Sequence, residues 1–184
     1  MYNQIERELK CLLSKEQYEI ISQSYDFPIK IHQSNTYYDT KDGYLKNMKS
    51  AMRIRTIDST YIFTLKIRTD EITLIELEKE IQDDQIEHAF EDEEIASWIQ
   101  KYNIPTEVIK IVDFTTERRI ETLEFAELCL DCTNFYGQID YEIEYEYTKD
   151  HDGILTFNQL LAAFDIKYEK NCPSKVARAV CYKD

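Results

Sequence analysis

Three stretches of the chain set an acidic residue at every second position: Ile5-Glu6-Arg7-Glu8-Leu9-Lys10, Ile75-Glu76-Leu77-Glu78-Lys79-Glu80 and Tyr141-Glu142-Ile143-Glu144-Tyr145-Glu146. Side chains on a strand alternate faces, so each stretch lines carboxylates on one face and mostly apolar residues on the other. Acids stacked along one strand repel, and acidic residues are depleted in sheets. Three such rows therefore call for cations in front of them. Basic rows complement them: Arg53 and Arg55 share a face, Lys66 and Arg68 share another, and Lys10 continues the face of Glu6 and Glu8.

A sheet closed with these faces inward would hold a cavity lined by both signs of charge. Its apolar faces would look outward and need helices over them, the reverse of a small barrel filled by apolar side chains. An antiparallel sheet with one solvated face also alternates, and for any single strand that plainer account serves as well. Repetition over five strands favours the closed cavity.

The alternation and the turn residues predict strands near 4–12, 33–39, 50–57, 60–69, 73–81, 108–120, 126–133 and 139–148. Lys41-Asp42-Gly43, Asp58-Ser59 and Tyr136-Gly137 separate several of them. Ser14-Lys15-Glu16-Gln17 reads as a capping box opening a helix to about Tyr25. Helical spacing of apolar residues predicts further helices over 92–102 and 156–166, and Ser174 is placed to cap a last one carrying Val176, Ala177, Val180 and Cys181. The acidic run 91–94 suits a helix N-terminus.

The chain has 184 residues, which is most simply one domain spanning 1–184. Its 36 acids against 22 bases give a formal charge of −14. Such a surface repels nucleic acid and anionic membranes, so an anionic ligand would need bases concentrated in its own site. No apolar run reaches membrane-spanning length and no export signal is read at Met1, which predicts a cytoplasmic protein with five reduced cysteines. Cys129-Leu130-Asp131-Cys132 has the spacing of a redox or zinc pair. It lies in a predicted strand, which turns its thiols to opposite faces, and no second pair or helix start follows.

In this order, the landmarks resemble the CYTH superfamily, the triphosphate tunnel metalloenzymes. Glu6-x-Glu8-x-Lys10 resembles the family's opening ExExK signature, and Tyr37-Tyr38-Asp39-Thr40 its YYDT segment. Arg53-Ile54-Arg55 resembles the paired-arginine strand, Thr64-Leu65-Lys66 the lysine strand, and Glu78 with Glu80 the central acidic strand. Phe114-Thr115-Thr116-Glu117-Arg118, Leu130-Asp131, Glu142-Ile143-Glu144 and Ser174-Lys175-Val176-Ala177-Arg178 continue the match. The pattern spans nearly the whole chain and is most similar to small bacterial members of the YjbK type. One position departs: Glu117 stands where the family often has lysine, and Arg119 faces away from Arg118. That leaves the sixth-strand phosphate ligand open.

The resemblance implies an α+β protein: an eight-stranded antiparallel β-barrel, a tunnel with a polar interior and helices packed outside. It implies hydrolysis of inorganic triphosphate or a small organic triphosphate, such as thiamine triphosphate or a nucleotide, with Mg²⁺ or Mn²⁺. A non-catalytic polyphosphate- or nucleotide-binding module is the alternative, with an adenylate cyclase behind it. In this picture Glu6, Glu8, Asp131, Glu142 and Glu144 hold metal. Arg53, Arg55, Lys66, Arg118 and Lys175 hold phosphate oxygens, while Glu78, Glu80 and Lys10 assist the chemistry. Glu76, Glu146 and Arg68 share the right faces and are assigned to solvated tunnel mouths. Arg178 is assigned either to the helix surface or to the ligand. Tyr37 and Tyr38 are expected to pack. Neither nucleic acid nor membrane is an expected partner, and the resemblance is compatible with a monomer or a homodimer.

Overall fold

A computed structural model describes residues 4–183. Eight strands form it: β1 (Gln4–Leu13), β2 (Ile29–Asp39), β3 (Ala51–Ile57), β4 (Thr60–Arg68), β5 (Thr73–Ile81), β6 (Ile109–Thr122), β7 (Ala126–Phe135) and β8 (Gln138–Tyr147). They close into one antiparallel barrel in the order β1-β5-β4-β3-β2-β6-β7-β8. Closure leaves no open sheet edge among the described strands. β2 begins four residues before the expected Gln33, because the long β6 reaches back to pair Ile29 with Ile120. Two hairpins need left-handed backbone: Asp58 (φ 52°) joins β3 to β4, and Tyr136 (54°) with Gly137 (94°) joins β7 to β8. The second has the positive φ at both central residues that a two-residue turn of this hand requires.

The outer faces are apolar and carry helices, as the alternation predicts. Leu9, Leu128, Leu130, Ile143 and Tyr145 lie under α1 (Lys15–Ser24) and α5 (Gly153–Ala162), which bury Ile21, Phe157 and Leu161. On the opposite side Met52, Ile54, Phe63, Leu65 and Leu77 meet α2 (Tyr44–Asn47), α3 (Ile86–Glu91) and α4 (Glu93–Lys101), with Leu45, Ile86, Ile95, Trp98 and Ile99 as the inward residues. The Ser14–Gln17 capping box forms in both directions. Asp92 caps α4 by accepting from the Glu94 and Ile95 amides. α5 starts earlier than expected, at Gly153, because Asp152 caps it through the Leu155 amide. It ends before 166, where Asp165 turns left-handed. The short α2 and α3 were not foreseen. Asp39 explains α2: its buried carboxylate accepts from the amides of Thr40, Leu45 and Lys46.

The last helix, α6 (Lys175–Lys183), departs from the expected outer layer. Its Ala179 packs with Tyr37, Val112, Phe114 and Phe135. These four share the strand faces of Asn35, Thr116 and Thr133, the inward ones. One end of the tunnel is thus apolar and is closed by α6. The segment before α6 runs along β1 where β5 has ended: the Lys10 amide donates to Asn171 Oδ1 at 2.8 Å, and the Cys172 amide to the Lys10 carbonyl at 3.3 Å. That pairing replaces lost strand hydrogen bonds and delivers Lys175 and Arg178 to the interior. Ser174 caps the helix through the Ala177 amide.

Candidate active site

The barrel interior gathers acids and bases from most of its strands. On β1, Glu6, Glu8 and Lys10 point in. Register sets their neighbours: Glu8 lies opposite Glu146 of β8, and Lys10 opposite Glu144. Asp131 of β7 lies opposite Glu142. The result is two carboxylate groups. Glu6, Glu8 and Glu146 can each offer an oxygen within 4.8 Å of the others, and so can Asp131, Glu142 and Glu144.

The first group is held loosely by three separate bases. Lys66 Nζ donates to Glu6 at 2.7 and 3.0 Å and also meets Glu76 at 3.0 Å. Lys10 Nζ donates to Glu8 at 2.5 Å, and Arg118 Nη1 to Glu146 at 3.1 Å. Burial pushes the Glu146 carboxyl up to about 7; Arg118 opposes this, while Glu144, Glu6 and Glu8 add to it. Two of its three bases are shared with acids outside it, Lys66 with Glu76 and Arg118 with Asp131 and Glu144.

The second group is more deeply buried and better balanced. Asp131 is fully inaccessible, and Glu142 nearly so. Lys175 Nζ contacts all three acids: Asp131 at 2.8 Å, Glu144 at 2.6 Å, and Glu142. Arg118 binds Asp131 through two nitrogens at 2.9 and 2.7 Å and also meets Glu144. Arg178 donates to Glu142 at 2.7 Å and to Asp140 at 2.9 Å. Burial alone would raise Asp131 and Glu144, but Arg118 and Lys175 outweigh it and hold both below the ordinary range. Burial and the neighbouring Glu144 raise Glu142, against the pull of Lys175.

A third region is basic. Arg53 Nη2 lies 3.5 Å from both Glu76 and Glu78, and its Nε donates to Thr64 at 3.3 Å. Arg55 has no salt bridge among the described residues; its Nε donates to Asn35 Oδ1 at 3.1 Å. Burial, then repulsion from Arg53 and Arg118, pulls Arg55 down to about 10. Tyr37 stands beside these bases. Burial opposes its ionisation, yet Arg53, Lys66 and Arg55 hold the phenol below its usual value.

The structure therefore brings together Glu6, Glu8, Lys10, Arg53, Arg55, Lys66, Arg118, Asp131, Glu142, Glu144 and Lys175 inside one tunnel. Glu78 reaches it through Thr64, at 2.8 Å, and through Arg53. Glu80 is exposed and lies outside both carboxylate groups. Glu76 and Glu146, assigned to the mouths, are interior instead, with side chains 12% and 25% exposed. Arg68 does sit at a mouth, on the carbonyls of Asp70 and Glu71. Arg178 is buried rather than on the helix surface, and its Nη2 has no partner among the described residues. Tyr37 faces inward, stacked on Phe114, while Tyr38 faces outward into the α3–α4 side. Glu117 and Arg119 both avoid the interior: Glu117 is exposed, and Arg119 lies over the outer Tyr18 ring. Among the described residues of β6, the interior base is thus Arg118. Cys129 points in, its thiol 3.6 Å from Glu146, and Cys132 packs outward, so the pair is split across the sheet.

The sequence profile of the CYTH domain matches residues 4–180. The chain belongs to the CYTH domain family. A Bacillus subtilis protein named "Putative triphosphatase YjbK" is 28% identical over 183 residues, covering 97% of this chain and 95% of that protein. The barrel is similar to the crystal structure of a Bacillus halodurans protein described as a "putative adenylate cyclase", with TM-score 0.82 and 31% identity over 95% of this chain and 97% of that one. It is also similar to HpAC1 from Hippeastrum, described as a "putative adenylyl cyclase" that reveals a dominant triphosphatase activity. There the TM-score is 0.74 and the identity 25%, over 98% of this chain and 96% of that one. Among the described residues of this CYTH protein, no helix is long and apolar enough to cross a membrane.

Proposed function

We propose that this CYTH protein hydrolyses a triphosphate, inorganic or a small organic one, with a divalent cation. The observation that carries the reading is a mismatch of charge at two neighbouring places. Arg55 is a half-buried guanidinium with no carboxylate partner among the described residues. Glu146 is a half-buried carboxyl beside two more acids, with its proton affinity raised. One place calls for an anion and the other for a cation, and a metal-bound polyphosphate supplies both.

The residues fit that ligand. The Glu6–Glu8–Glu146 group offers only carboxylate oxygens, the donors that Mg²⁺ and Mn²⁺ take. When bound, such an ion neutralises phosphate charge and helps make hydroxide from water. Arg53 and Arg55 present fork-shaped donors to phosphate oxygens, and Lys66 a point charge beside them. Arg118 spans both carboxylate groups and fixes their separation. Glu78 is ionised and half-exposed, suited to orient water at the tunnel mouth; burial opposes its charge, but Arg53 and the Thr64 hydroxyl hold it below the usual range. Phosphoryl transfer needs positioning and charge neutralisation more than a covalent nucleophile, so the tunnel requires none. The name of YjbK and the dominant triphosphatase activity described for HpAC1 support the triphosphatase reading over a cyclase.

The test is product release from a panel of triphosphates: inorganic triphosphate, thiamine triphosphate and ATP, each with Mg²⁺, Mn²⁺ or chelator. Phosphate release that needs the divalent cation is the expected result. Tight binding without turnover would support a binding module, and cyclic AMP from ATP a cyclase.

A further inference from the structure

Lys175 sits where its hydrogen-bonding capacity is used up. An ammonium has three N–H donors and no acceptor. The Lys175 ammonium faces three carboxylates, one each from Asp131, Glu142 and Glu144, and the same three form the second carboxylate group. No donor is left over for a phosphate oxygen while all three contacts stand. The first group differs: its three acids are met by three different bases, and no single cation touches all of them.

We infer that Lys175 is an internal counter-cation that fills the Asp131–Glu142–Glu144 group in the ligand-free protein, so that a divalent cation enters there only by displacing it. The inference rests on the metal-dependent reading above and adds an order of events. The Glu6–Glu8–Glu146 group takes a cation first. The second group opens when Lys175 turns away, and the freed ammonium then has donors for a phosphate oxygen. Helix α6 need not leave for this. Arg178, one turn further on, stays tied to Asp140 and Glu142, and Ser174 still caps the helix. Only the flexible lysine side chain has to move.

The test counts Mn²⁺ bound to the full chain with no triphosphate present, by electron paramagnetic resonance of the free ion. Wild type should take up one Mn²⁺ tightly. Lys175→Met should gain a second with affinity at least tenfold tighter than any second site of wild type, and adding Asp131→Asn should remove the gain. Equal Mn²⁺ uptake by wild type and Lys175→Met would overturn this inference and leave the metal reading standing. No uptake by either would overturn the metal reading as well. If Lys175→Met does not fold, wild type alone decides through amine acylation read by mass spectrometry. Lys175 should be protected without metal and labelled in excess Mn²⁺; protection that persists at saturating Mn²⁺ would overturn the inference.

Discussion

The two carboxylate groups of the tunnel use the same residue types and lie side by side, yet they differ in what balances them. Asp131, Glu142 and Glu144 share Lys175 and draw on Arg118 and Arg178. Glu8 has Lys10 to itself, but Glu6 and Glu146 rely on bases divided with other acids, Lys66 with Glu76 and Arg118 with Asp131. The Asp131–Glu142–Glu144 arrangement is a closed ion cluster, as deep burial demands of charge. The Glu6–Glu8–Glu146 group shares its bases more widely and lies at a site that water can still reach. Burial and acid count alone do not mark a metal site; the supply of local cations decides which acids remain available.

Breaking the cation-short group should have the largest effect. Glu6→Gln or Glu8→Gln should lower metal-dependent phosphate release by at least about a hundredfold at limiting metal, beyond the roughly 10–100-fold typical of residues that only support a ligand. Initial rates against Mn²⁺ concentration check this. Near-normal rates would place the working metal elsewhere.

Next come the bases. Arg53→Ala and Arg55→Ala should each weaken triphosphate binding about ten- to a hundredfold, from the loss of ~1.5–3 kcal/mol of charge-assisted hydrogen bonding. Metal affinity should change far less. Glu144→Gln should do the reverse, raising the metal requirement while substrate affinity recovers at high metal. Separate titrations of substrate and metal distinguish the two outcomes.

Glu146 offers a test in the absence of any ligand. Its folded-state value of about 7 lies above the ordinary carboxyl value of 4.5. The folded protein therefore holds the proton more tightly, and stability falls as pH rises between those values. Above pH 7 the full cost of the charge is present. Metal-free Glu146→Gln should then be more stable than wild type at pH 8, by on the order of 1–3 kcal/mol. The advantage should shrink toward pH 5, where wild-type Glu146 is protonated. Denaturant unfolding at the two pH values measures it, and a variant less stable than wild type at pH 8 would show that the group is not short of cations.

The smallest effect is expected at the mouth. Glu80 is exposed and outside both groups, so Glu80→Gln should leave phosphate release within about twofold, as for most surface changes. A larger loss would return Glu80 to the working set.

Much of this was legible in the sequence because a strand's period of 2 is insensitive to context. The charged and apolar faces of β1, β3, β4, β5 and β8 followed from alternation, as did the split of Cys129 from Cys132. Position along the tunnel was not legible. Glu76, Glu78 and Glu80 are equivalent as a row, and only register with β4, where Lys66 lies opposite Glu76, makes Glu76 interior and Glu80 peripheral. Glu146 looked terminal on β8 and became central because β1 is set against it at Glu8. The place of α6 was hidden too, since an apolar stripe on a helix does not say which surface it will cover. A signal did exist: the inward positions Tyr37, Val112, Phe114 and Phe135 turn apolar at one end of otherwise polar faces, which marks an end to be plugged.

Anomalous diffraction from crystals of the triphosphate-free protein soaked in stoichiometric Mn²⁺ asks whether the Glu6–Glu8–Glu146 group is the one that takes a cation first. With Mn²⁺ enough for one site only, a peak should stand among Glu6, Glu8 and Glu146, with Lys175 still seated on Asp131, Glu142 and Glu144. A peak only at the latter three, or none in the tunnel, would contradict it.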